Sequence, residues 1–227
     1  MALTDTYKTI RNTSEGIYRE KGSKFLSFAF PVINEDVIKE NIQKIKQKYF
    51  DATHHCYAWK LGIDDNHFKI NDDGEPSGTA GKPVLGQIKS RQLTNILIVV
   101  VRYFGGIKLG TSGLINAYKS AASDVIMNAA IIEKTVNDHY NIFFQYSAMN
   151  DVMKIVKDEN AEIIDRQFGL NCSLNLSIRH SNSCNLISKL QKVETVKIEH
   201  LFLIGLKDKK GAETAPKSLK MLSLQKK

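Results

Sequence analysis

Residues 95–106 read NILIVVVRYFGG. The six residues from Ile96 to Val101 are all aliphatic, with no polar alternation. Such a run is a strand apolar on both faces, and it predicts burial on both sides. It is too short to span a bilayer, which takes about 20 apolar residues. Arg102 closes the strand. Gly105, Gly106 and Gly110 follow, with Lys108 between them, before a helix predicted to begin near Thr111 or Ser112 and to run through LINAYKSAASDVIMNAA.

The other elements fall into place around this strand. GIYREKGSKFLSFAFPV predicts a hairpin broken at Gly22-Ser23. In NEDVIKENIQKIKQKYF, Asn34 is placed to cap a helix, and Ile38, Ile42, Ile45 and Tyr49 recur at helical spacing. THHCYAWKLG predicts a strand, and GKPVLGQIKSRQL a short helix. The pattern restarts near His139. HYNIFFQYS, AMNDVMKIVKDEN, AEIIDRQFG, CSLNLSIRH, SNSCNLISKLQKV and TVKIEHLFLIG read as strand, helix, strand, strand, helix and strand, the ferredoxin-like βαββαβ order. The fold class expected is therefore α+β in two domains, residues 1–137 and 138–205. Residues 206–227 read as a basic disordered tail.

Composition narrows the function classes. The chain has 227 residues, 42% of them hydrophobic, enough for one large or two small cores. MALTDTYKTI has no basic-then-apolar signal pattern, so a cytoplasmic location is expected, with no membrane. Cys56, Cys172 and Cys184 are an odd count with no CxxC pair, which argues against a disulfide framework and a zinc ribbon. The net charge of +8 is uneven: +4 over residues 1–137, −1 over 138–205 and +5 over 206–227. The tail is a solubilising segment or an electrostatic arm for RNA or another acidic surface.

Three stretches could carry chemistry. Residues 71–83, NDDGEPSGTAGKP, do not make a Walker loop, because Gly81-Lys82 is followed by Pro83. Ser77 to Gly81 could still turn into a helix start near Lys82 that attracts an anion, or Gly78 and Gly81 could serve only a turn that needs positive φ. Asp72, Asp73 and Glu75 are hard oxygen donors, but their spacing is not that of an EF-hand. In THHCYAW, His54 and His55 point to opposite faces of a strand while His54 and Cys56 share one, too few ligands for zinc. No metal or cofactor is expected. Arg102 and Lys108 beside a helix start form a candidate anion site; alternatively, Arg102 pairs with Asp72, Asp73 or Glu75 and fixes the loop.

Together, DATHHCYAW, NDDGEPSGTAGKPVLGQI and VVVRYFGGIKLGTSGLINAY resemble the IMPACT/YigZ family in order and character. The resemblance implies a first domain similar to the second domain of a small-subunit ribosomal protein and to a tip domain of the ribosomal translocase. It implies a second domain similar to the translocase's C-terminal ferredoxin-like domain. Eukaryotic relatives regulate translation under amino-acid starvation, partly through an extra N-terminal domain, so kinase regulation is not expected to carry over. What the resemblance does imply is an RNA- or ribosome-associated protein. Its functional surface maps onto His54, His55 and Cys56; onto Asp72, Asp73, Gly74, Glu75, Pro76, Gly78, Thr79 and Gly81; and onto Arg102, Tyr103, Gly105, Gly106, Lys108, Gly110 and Thr111, with Lys82 a further candidate for binding a ligand or RNA. It assigns no catalytic role to any of them.

Three readings follow. The first is a translation-associated binding protein contacting structured RNA or the ribosome, with stacking on exposed aromatics such as Tyr103. The second is a metal-assisted hydrolase of a phosphorylated substrate, with His54 or His55 as base and Asp73 or Glu75 holding the metal. The third is a regulator whose rigid loop docks a protein partner in translation control.

Overall fold

The structure, a computed structural model, describes residues 5–63 and 66–201. They divide into two compact units, one of residues 6–134 and the other of Asp5 with residues 135–201.

The first unit is built on strands β1 (Thr6–Ile10), β2 (Ser14–Glu20), β3 (Ser23–Pro31), β4 (His54–Lys60), β5 (Phe68–Asn71), β6 (Ile96–Tyr103) and β7 (Ile131–Thr135). Its helices are α1 (Glu35–Lys48), α2 (Gly81–Ser90) and α3 (Gly110–Met127). Five strands form one antiparallel sheet in the order β2-β3-β6-β4-β5, with β6 at its centre. β1 pairs with β7 in a separate two-stranded ribbon.

Alternation along β6 sets the layers. Ile96, Ile98 and Val100 pack with Val84, Ile88, Ala117, Tyr118 and Ala121 of α2 and α3. Leu97, Val99 and Val101 pack with Ile38 and Ile45 of α1 on the other face. Both faces of β6 are buried because helices cover both, which is why its sequence has no polar alternation. Asn34 caps α1, its Oδ1 accepting from the Val37 amide at 2.9 Å. Lys21 and Gly22 make a two-residue turn at φ 45° and 79°, the conformation a tight hairpin demands.

The structure adds three strands to the sequence reading. β1 and β7 are short ribbon strands without a strong apolar signature. β5, which the sequence reading left unassigned, is a four-residue edge strand that is largely exposed. Only its pairing with β4 makes it a strand.

The second unit runs β8 (Asn137–Gln145), a short 3-10 turn, α4 (Met149–Asp158), β9 (Glu162–Gln167), β10 (Asn171–Arg179), α5 (His180–Leu190) and β11 (Lys197–Leu201). Its sheet order is β11-β8-β10-β9, antiparallel throughout. Tyr140, Ile142 and Phe144 join Cys172, Leu174, Leu176 and Ile178 on one face, against Val152, Val156, Leu186 and Leu190 of the helices. Asp5, placed by sequence order in the first domain, belongs here. Its carboxylate accepts from the Ser181 amide at 2.9 Å and pairs with Arg179 at 3.1 Å, occupying the start of α5. The basic tail, residues 206–227, lies outside the described residues.

Candidate functional site

The motif residues converge at one end of the five-stranded sheet, where β6 finishes and β4 begins. His54 pairs in register with Arg102, and Arg102 with Phe25 of β3. By strand alternation Arg102, His54, Cys56 and Phe25 lie on the face covered by α2 and α3, while His55 turns toward α1. The His55 Nε2–H accordingly donates to the Tyr49 carbonyl, at the end of α1, at 2.9 Å.

Each of the three loop acids has its own internal partners. Asp72 stands at the start of α2: its Oδ1 accepts from the Ala80 and Gly81 amides at 3.0 and 2.8 Å, and its Oδ2 from the Gly78 amide at 2.9 Å. The anion position at this helix start is therefore filled by the protein's own carboxylate. Lys82 itself is exposed. Asp73 accepts from the His55 amide at 2.7 Å and pairs with Lys46 at 3.2 Å. Burial would raise the Asp73 carboxyl, but these donors outweigh it and hold the group below the usual carboxylate value.

Glu75 is the buried acid. Its Oε1 accepts from Arg102 Nη1 at 2.6 Å and from the Tyr118 hydroxyl at 2.8 Å, with His54 Nε2 3.9 Å away. The His54 Nδ1 lies 2.8 Å from the Asp73 carbonyl, which can only accept, so Nδ1 carries a proton. The Cys56 thiol sits 3.0 Å from the Asp72 carbonyl and 3.3 Å from the Tyr118 hydroxyl. Burial pushes this thiol up to about 12, and burial with the neighbouring Cys56 and Glu75 raises Tyr118 as well.

Glycines let this end close up. Asp73 and Gly74 at the loop's bend adopt φ of 45° and 89°, and Gly78 has φ 77°. Gly81 does not: its φ is ordinary, and it is glycine because a Cβ would stand 2.9 Å from the Asn71 amide nitrogen. A Cβ on Gly105 would lie 1.9 Å from the Gly22 carbonyl carbon, so the end of β6 packs directly on the β2–β3 turn. The Ser23 hydroxyl accepts from the Gly105 amide at 3.2 Å.

Of the residues picked out by sequence, His54, Cys56, Asp72, Asp73, Glu75 and Arg102 form one connected network. Thr79 is buried beside it, its hydroxyl donating to the Pro76 carbonyl at 2.6 Å. Tyr103 is half-buried, and its hydroxyl donates to Asp51 at 2.8 Å. Lys108, Gly110 and Thr111 are exposed at the start of α3. That helix has no side-chain cap and no acidic residue in its first turn. Sequence reasoning missed Tyr118. It lies on α3 at a core spacing, and only its hydroxyl's contact with Glu75 sets it apart from a packing residue.

The groups named for hydrolysis each have partners inside the protein. Glu75 is occupied by Arg102 and Tyr118, Asp73 by His55 and Lys46, and the ring nitrogens His54 Nδ1 and His55 Nε2 by backbone carbonyls. Among the described residues, no three His, Cys, Asp or Glu side chains are grouped to hold a metal ion. Also among them, no helix is long and apolar enough to cross a membrane.

Residues 21–126 match the family model described as the Impact N-terminal domain. The chain is 43% identical over 132 residues to the IMPACT family member YvyE of Bacillus subtilis, a match covering 58% of this chain and 61% of that protein. It is 32% identical over 150 residues to the IMPACT family member YigZ of Escherichia coli, covering 65% and 74%. A solved structure described as that of an hypothetical protein shares the fold, with a TM-score of 0.67 and 24% identity over 91% of this chain and all of that one.

Proposed function

The chain belongs to the IMPACT family, and we propose that it is a translation-associated regulatory protein whose N-terminal unit contacts structured RNA, on or near the ribosome. The contrast between two helix starts carries this proposal. At α2, Asp72 already occupies the amides. At α3, the first turn has neither a side-chain cap nor an acid, and exposed Lys108 precedes it by two residues. Free amides and an adjacent cation favour a phosphate. The +4 charge over residues 1–137 adds nonspecific attraction.

In this proposal the buried network is a scaffold. Arg102 does not touch phosphate; it holds the loop, and the surface of that end of the sheet does the binding. The second unit's element order and its β11-β8-β10-β9 sheet support a ferredoxin-like reading, and a cytoplasmic place of work fits the proposed partner.

The test is cosedimentation of the purified protein with ribosomes across a salt series. Binding that falls steeply with salt, survives truncation after residue 205 and weakens in Lys108→Glu supports the proposal. Binding carried by the tail alone, or none, overturns it. Capture of a protein partner that persists after nuclease treatment would favour protein docking instead.

A further inference from the structure

The network ends on an exposed aromatic ring. Phe104, one residue past β6, is 48% exposed, and Phe50, in the turn after α1, is 83% exposed. The two segments are stitched together at the same end of the sheet. The Thr53 amide donates to the Arg102 carbonyl at 2.9 Å, and the Phe104 amide to Thr53 Oγ1 at 3.4 Å.

Phe104 rests on a cation that cannot swing away. The Arg102 guanidinium carbon lies 5.6 Å from the Phe104 ring centroid and 5.5 Å from that of buried Phe25. Its Nη1 is taken by Glu75, and its Nη2 lies 3.5 Å from the Ser23 hydroxyl. Its Nε, buried, has no hydrogen-bond partner among the described residues. The two rings flank the guanidinium within cation–π range, beside its ion pair with Glu75. Tyr118, Glu75, Arg102 and Phe104 thus form a chain of contacts from the core to the surface.

We propose that Phe104 is a stacking platform for an unpaired nucleobase, so that the RNA recognised is a loop, bulge or single strand rather than continuous duplex. This rests on the RNA reading above and specifies its substrate. Bases inside an A-form helix are stacked on one another and cannot lie on a protein ring; unpaired bases can. Stacking needs a π-face and no particular sequence. A ring fixed before binding loses little freedom on binding. The chain from Tyr103 to Ser123 contains no Asp or Glu, and Asp51, beside neighbouring Tyr103, already accepts from its hydroxyl; Lys108 lies four residues beyond the ring, and α3 begins six beyond it.

The experiment uses the full chain with two probes: a hairpin RNA carrying 2-aminopurine in an unpaired loop, and a blunt duplex of the same stem. Wild type is expected to bind the hairpin about tenfold more tightly than the duplex and to quench the 2-aminopurine emission. Phe104→Leu keeps apolar bulk and is expected to lose both the preference and the quench. Phe104→Tyr is expected to restore both, and neither variant should change the salt slope, because no phosphate contact is lost. Lys108→Ala should lower that slope while the quench persists. If wild type binds hairpin and duplex alike, if Phe104→Leu quenches as wild type does, or if Phe104→Tyr fails to restore binding, the stacking inference is overturned and the RNA reading stands. If wild type binds neither probe at low salt, both fall.

Discussion

Arg102 Nη1 and Glu75 Oε1 meet at 2.6 Å between side chains that are only 6% and 3% exposed, although 27 residues separate them in sequence. The pair ties the glycine-rich loop to the end of the central strand from inside the protein. Such a pair gives little net stability compared with an apolar replacement, but breaking it strands a buried charge.

Glu75→Ala is therefore expected to destabilise the N-terminal unit by about 3–5 kcal/mol. The double variant Glu75→Leu with Arg102→Met should cost clearly less than the single. Urea unfolding followed by the fluorescence of Trp59, the chain's one tryptophan, reads this unit directly. A double variant no more stable than Glu75→Ala would contradict the account.

Asp72→Ala removes an acceptor shared by three amides at the start of α2. A loss of about 1–2 kcal/mol is expected, at the upper end for a helix cap. Hydrogen exchange should quicken at Gly78, Ala80 and Gly81 before it does in β6. Unchanged exchange there would show that the cap is not needed.

Glycines at two sites should respond in opposite directions. Gly105→Ala places a Cβ 1.9 Å from backbone and should prevent the native packing of the β2–β3 turn, with a severe drop in thermal stability. Gly86, within α2, has open space around its would-be Cβ and an ordinary φ. Gly86→Ala is expected to stabilise by about 0.5–1 kcal/mol. Melting temperatures of the two variants check both.

The thiols should differ sharply in reactivity. Burial pushes Cys56 up to about 12, and Cys172 is buried, whereas Cys184 is exposed. In native protein near pH 8, mass spectrometry should find iodoacetamide on Cys184 alone, with the other two labelled only after unfolding. Fast native labelling of Cys56 would refute the closed loop.

Acid should loosen the loop through Asp73. Its folded-state carboxyl is held below the usual carboxylate value, so its stabilisation is present above that value and is lost as pH falls through the depressed one. Asp73→Asn should flatten the acid limb of stability below about pH 4. An acid limb identical to wild type would place the effect elsewhere.

Much of the fold was legible in local pattern. The double-faced apolar run from Ile96 to Val101, the helical spacing of Ile38 and Ile45 and the Asn34 cap each depend on residues within a few positions of one another. The edge strand β5 and the ribbon strands β1 and β7 were not legible, because they are defined by pairing with distant partners and not by apolar periodicity. The assignment of Asp5 to the second unit was equally hidden, since its partners Arg179 and Ser181 lie some 175 residues on.

The sequence by itself determined which motif residues the chain carries and, through strand alternation, that His54 and Cys56 share a face that His55 does not. Only the tertiary structure decided how they are used. The choice of Arg102 for Glu75, the filling of the α2 start by Asp72, the part played by Tyr118 and the exposure of Phe104 depend on which elements pack together. Side chains brought together by packing compete for the same donors and acceptors, and geometry at a few ångströms settles that competition where sequence spacing cannot.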